Sequence, residues 1–189
     1  MTGIIVIPIG VFVGLAIGLW DKISGALLDV FRFFTSIPAL AWLPLFLVWF
    51  GFNEATVIMT VAYYFFFTVL FNTLSGIRTV PRVLQYAVLT MGGNRWQVIR
   101  HVLIPGAMPS IIAGIRLGFA YGWRGLIGAE MLVAQGGLGH LIFRAQSVGL
   151  TDRIIAGMVV IGLLAALIDY LIMQPIEEAT IRRWGLIQR

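Results

Sequence analysis

The chain has 189 residues, 60% of them hydrophobic and 11% charged, with mean hydropathy +0.97 and a formal net charge of +5. A soluble domain is about 45–50% apolar and about one quarter charged, and so short a chain cannot hide the excess in its own core, so lipid must solvate much of it. The lack of cysteine removes disulfides, thiolate metal sites and cysteine nucleophiles.

Residues 4–20 form an uncharged apolar run ending at Asp21-Lys22. Without a basic leader or a small-residue cleavage site, the run reads as a span rather than a signal peptide. Residues 33–53 and 55–77 are also uncharged, and the turn Gly51-Phe52-Asn53-Glu54 divides them. Each is about 20 residues, enough to cross a hydrocarbon core of about 30 Å. Pro38 and Pro44 should kink or break the second span. A polar island follows at 86–105, where Arg95, Arg100 and His101 cluster around a Gly92-Gly93 break, and Trp96 and Ile99 share a helical face. It begins with a helical piece after Pro81, and a second piece over 95–102 stops before Pro105. A fourth span is expected at 108–133 and a fifth at 154–174, joined by a segment containing Gly136, Gly137 and Gly139. The tail 175–189 is polar. The expected fold is all-α: a polytopic membrane helical bundle of about five transmembrane helices, a single domain over 1–189.

Charge gives the orientation. With the island on the cytoplasmic side, that side holds Lys22, Arg32, Arg78, Arg82, Arg95, Arg100, Arg182, Arg183 and Arg189, against Arg144 and Arg153 opposite. Nine against two is a positive-inside pattern, so the pI near 10.2 is read as topology and not as nucleic-acid binding. The C-terminus is then cytoplasmic and Met1 lies outside.

Catalytic and metal constellations are absent from the sequence. His101 and His140 lack metal-site spacing, and no G-x-S-x-G elbow occurs. Gly136-Gly137-Leu138-Gly139 lacks the Lys-Ser/Thr of a phosphate cradle and reads as a tight turn with positive φ. Ionisable residues concentrate in the fourth span as Arg116, Arg124 and Glu130. Counted from Met108, Arg116 lies about 12 Å and Arg124 about 24 Å into the helix, about 80° apart on the wheel. Arg124 and Glu130 are near enough to a helix end to snorkel, whereas Arg116 points to a pathway or an internal ion pair. On a pathway, its guanidinium would favour small oxyanions. Asp169 reads as an interfacial or paired acid.

The island resembles the EAA loop of binding-protein-dependent ABC importer permeases, with Gly92 in the glycine place and Ile104-Pro105 in the hydrophobic-Pro place. Tyr86-Ala87-Val88 stands where that loop has Glu-Ala-Ala, so the family's glutamate ion pair has no carboxylate here. Residues 36–45 (SIPALAWLPL), Trp49-Phe50-Gly51, Ala129-Glu130, the 136–139 glycine run and Thr151-Asp152 are similar to segments of the nitrate/sulfonate/taurine-type permeases. The resemblance implies a type I ABC importer permease fold, with the chain beginning in the family's second span and lacking the first transmembrane helix. It implies a bacterial cytoplasmic (inner) membrane location, multi-pass, and a likeness to subunits that are not enzymes.

The implied partners are an ABC ATPase subunit carrying ATP and Mg, an extracytoplasmic solute-binding protein, a second permease copy in a homodimer, and membrane lipid. No cofactor is implied in this chain. The coupling role falls on the 85–105 loop, at Tyr86, Ala87, Met91, Gly92, Gly93, Asn94, Arg95, Trp96 and Arg100. The translocation path falls on Arg116, Arg124 and Glu130. The implied cargo is an organic sulfonate, nitrate or a similar anion. Alternatives are a neutral or cationic vitamin precursor carried by the same machinery, a truncated non-functional permease, and a stand-alone secondary transporter.

Overall fold

The structure, a computed structural model, describes residues 2–19, 21–133 and 135–183; Arg189, used in the charge count, lies outside them. Among the described residues all regular structure is helical. The elements are α1 (Thr2–Leu19), α2 (Asp21–Ser36), a 3-10 turn (Ala39–Trp42), α3 (Leu43–Phe50), α4 (Glu54–Thr79), α5 (Arg82–Thr90), α6 (Arg95–Val98), a π-helical turn (Ile99–Leu103), α7 (Ile104–Leu132), α8 (Leu138–Ser147), α9 (Thr151–Ile168), a second π-helical turn (Asp169–Met173) and α10 (Gln174–Arg183).

Among the described residues three helices are long and apolar enough to span a bilayer: Glu54–Thr79, Arg95–Leu132 and Thr151–Glu178. The expected second span is a bent pair, Leu27–Ser36 and Ala39–Phe50, meeting at 89°. Pro38 makes the break, because its extended backbone (φ −53°, ψ 134°) ends α2, whereas Pro44 sits in the first turn of α3, where its missing N–H costs nothing. The expected first span is a shorter apolar helix, Ile5–Leu19. The five expected spans therefore resolve into three long helices, one broken pair and one short helix.

Helix α4 is the centre of the bundle, with α1 packed on one side and α7 on the other. Asn53 starts it by accepting the Ala55 N–H at 2.9 Å, and Glu54 and Arg78 suit the two ends of its dipole. Both neighbours present small residues every fourth position, which lets backbones approach closely where burial against lipid gives no drive. On α1, a Cβ at Gly14 would lie 2.8 Å from the Leu70 carbonyl oxygen and from Thr73 Cβ. On α7, a Cβ at Gly114 would lie 2.5 Å from Asn72 Cβ, and Gly118, Gly122 and Gly125 continue the stripe against Phe65 and Tyr64. Val69, Leu70 and Thr73 of α4 are fully buried in these seams.

Two proline passages differ from expectation. The helical piece from Arg95 does not stop before Pro105; it runs on as one rod, Arg95–Leu132. The π turn just before the proline is the reason. The Ile104 N–H reaches back five residues to the Ile99 carbonyl, and the widened turn makes room for a ring that would clash with a regular α-helix. The same device recurs at Pro175, two residues past the Asp169–Met173 π turn. There the fifth span continues into α10, so the polar tail is helical as far as Arg183.

Candidate coupling segment and translocation path

The polar island folds as two short helices around a turn whose shape is set locally. Helix α5 ends in a Schellman motif: the Gly92 N–H donates to the Leu89 carbonyl at 3.1 Å, and the Gly93 N–H to the Val88 carbonyl at 2.9 Å. Gly92 takes φ +84°, which a side chain would strain. Gly93 is required for space instead, since a Cβ there would lie 2.6 Å from Val88 Cγ1. Asn94 then opens α6 with a capping box: its side chain accepts the Gln97 N–H at 2.9 Å, and Gln97 Oε1 accepts the Asn94 N–H at 2.8 Å.

Little of this segment packs on the bundle. No residue of α5 is buried; Val88, Val98 and Ile99 make the attachment to a cluster containing Ile77, Val80, Leu103 and Ala107. Met91 is 87% exposed, Trp96 64% and Tyr86 59%, and Ala87, Arg95 and Arg100 are exposed beside them. Trp96 and Ile99 do not share one environment, since Ile99 turns inward and Trp96 outward. The proposed coupling residues are thus gathered on one short, stiff, largely uncovered projection.

The three path candidates on α7 are not gathered, because each has a different partner. Arg116 forks onto Asp169, with Nε donating to Oδ1 at 2.9 Å and Nη2 to Oδ2 at 2.7 Å, while Nη1 donates to Glu177. This bidentate geometry is the strong form of an ion pair. It ties α7 to the π turn and α10, and all three side chains are partly buried. Arg124 is exposed, its guanidinium 5.8 Å from the centre of the Tyr121 ring. Glu130 accepts the Gly139 N–H at 3.0 Å and so caps the start of α8. Gly137 has φ +107°, and a Cβ there would meet the Glu130 carboxylate at 2.6 Å, so the glycine run is a tight turn folded over this acid.

Glu177 was not visible as a site residue from its place in a polar tail. The usable signal is its spacing from Asp169, since eight residues return to within about 80° on a helical wheel.

Known proteins resemble this chain over most of its length. Residues 6–174 match the family described as binding-protein-dependent transport system inner membrane component. The chain is 36% identical over 160 residues to the taurine transport system permease protein of Escherichia coli (strain K12), covering 85% of this chain and 58% of that protein. It is 32% identical over 161 residues to a Bacillus subtilis (strain 168) protein provisionally named as an aliphatic sulfonates transport permease, with the same 85% and 58% coverage. A riboflavin transport system permease protein of Chloroflexus aurantiacus is 31% identical over 159 residues, 84% of this chain and 59% of that one. The chain therefore spans under two thirds of these relatives.

Among solved structures, the inward-facing MetNI methionine ABC transporter superposes with TM-score 0.69 at 19% identity, covering 95% of this chain and 93% of that one. An amino acid ABC transporter superposes with TM-score 0.70 at 21% identity, covering 96% and 88%. These likenesses establish the fold. With the family matched from within α1 to the first residue of α10, the chain belongs to the binding-protein-dependent transport system inner membrane components.

Proposed function

We propose that the chain is the permease subunit of an ATP-driven importer whose cargo is taurine or an aliphatic sulfonate. Two copies form the path in the cytoplasmic membrane with their C-termini inside. An ATPase subunit carrying ATP and Mg receives the segment α5–Gly92–α6, and a solute-binding protein delivers cargo at the outer face. The observation that carries this reading is the exposure of Met91, Trp96 and Tyr86 on a segment that local hydrogen bonds already hold rigid. Large apolar side chains left open at a stiff turn are suited to a partner's groove. The rod Arg95–Leu132 then connects that groove to the membrane without a break. Within it Arg116 acts as a tie, holding α9–α10 to α7, and its donors are already engaged by carboxylates.

The test is transport by the complex reconstituted with its ATPase and binding protein, supplied in turn with taurine, ethanesulfonate and riboflavin. Gly92→Val forces a β-branched residue into the left-handed region at a cost of about 1–2 kcal/mol. We expect sulfonate uptake to fall roughly 5–30-fold while ATP hydrolysis continues. Unchanged uptake would sink the coupling assignment, and transport of riboflavin alone would sink the sulfonate assignment.

A further inference from the structure

At the end of the bundle remote from the coupling turn, α8 and the first turn of α9 line a half-open cavity of about 590 Å³. His140 and Arg144, one helical turn apart on α8, line it together with Arg153 of α9. The remaining lining is glycine or apolar, and among the described residues no carboxylate lines the cavity; Glu130, beneath the lining residue Gly137, lines a different one. Asp152, the nearest acid in sequence, is not among the lining residues. Among the described residues, neither arginine has an ion-pair partner.

The spacing between these bases is built in. Helix α8 closes with its own Schellman motif, the Gly149 N–H donating to the Gln146 carbonyl at 3.2 Å and the Leu150 N–H to the Ala145 carbonyl at 2.9 Å. Gly149 takes φ +74° there. This turn fixes the direction in which α9 leaves α8, and so fixes Arg153 relative to Arg144. Two guanidiniums held at one concavity without an ion-pair partner repel each other, and an anion between them removes that cost. Two guanidinium forks match an oxyanion's several acceptors. A concave wall favours a small group over a flat acidic protein surface.

We infer that the cavity lined by His140, Arg144 and Arg153 is an oxyanion-binding site, taking a sulfonate cargo or the phosphate of a lipid headgroup. The chain enters the coupling segment at one end of the rod Arg95–Leu132, and α8 follows the other end. A cytoplasmic coupling turn therefore puts this site on the outer side, where delivered cargo arrives. The sulfonate arm rests on the function proposed above; the phosphate arm does not.

The experiment measures binding of radiolabelled ethanesulfonate to the intact permease–ATPase complex in phosphatidylcholine nanodiscs, then in discs doped with phosphatidylglycerol. Saturable binding that weakens about tenfold per arginine in Arg144→Gln and Arg153→Gln, and partly recovers in the lysine variants, supports the sulfonate source. No ethanesulfonate binding, but phosphatidylglycerol retained by the wild type and lost by the double variant, supports the phosphate source. That result would stand even if the cargo proved neutral. Equal sulfonate and lipid binding in wild type and double variant overturns the site. So does a double variant whose only defect is a raised half-saturation for the binding protein, which would assign the arginines to an acidic protein face. Both arginines are exposed, so the glutamine variants should assemble normally, and recovery of the complex on purification checks this.

Discussion

The seam between α4 and α7 and the turn between α5 and α6 both depend on glycine, in opposite ways. In the seam, glycine removes side chain so that two helices can touch, and the conformation is ordinary α-helix. At the turn, Gly92 has open space around it and is needed for its positive φ. The seam is held by packing between residues far apart in the chain. The turn is held by hydrogen bonds among residues 87–97, and it leaves its large side chains uncovered. A region that spends its apolar residues on its own fold is scaffold, whereas one that is shaped locally and leaves them open is offering them elsewhere.

The contrast can be broken by substitution. The largest effect belongs to the seam: Gly114→Leu pushes a branched side chain into Asn72 Cβ, which lies beside rigid backbone. Overpacking of about 3 kcal/mol should lower the melting temperature and the yield of the purified complex. A normal melt would mean that the seam is looser than its contacts. Next comes Trp96→Ala, which should leave the melt within about 0.5 kcal/mol yet weaken ATPase-subunit binding by about 2 kcal/mol, roughly thirtyfold. Equal affinity in a titration with the purified ATPase would remove Trp96 from the interface. The smallest effect is Asn94→Ala, which deletes one half of the capping box and should cost about 1 kcal/mol. It is read as roughly fivefold faster hydrogen exchange at the Arg95–Val98 amides, with the α4–α7 amides unchanged. Faster exchange at both would show that the two regions are not independent.

What was legible in the sequence follows the same division. The break at Pro38, the Asn53 start of α4 and the Gly92 turn are local matters of backbone chemistry, and residue identity alone announces them. The passage of a helix through Pro105 was not legible, because a π turn is chosen where neighbouring helices hold the rod straight despite one lost hydrogen bond. Arg116 was legible as a costly residue needing a partner, but Glu177 is 61 residues away, and only the packing of α10 against α7 brings it in. The glycines at 114, 118 and 122 were in plain view at fourfold spacing. Their meaning depends on which neighbour they face. For the site itself, Glu130 and the glycine run were separate signals, and the fold joins them in one cap at the start of α8.

The rod Arg95–Leu132 has 38 residues, about 57 Å at 1.5 Å per residue, nearly twice the hydrocarbon thickness of about 30 Å. For the coupling function proposed above, its surplus length would be the crank handle outside the slab. Converting its π turn to regular α-helix would remove one residue's worth of slack and screw everything beyond it through about 100°. Such a rotation would drive the glycine stripe away from α4 and bring side chains into its place. The stripe is thus a key in a slot: it blocks screwing and leaves tilting as the motion open to the rod.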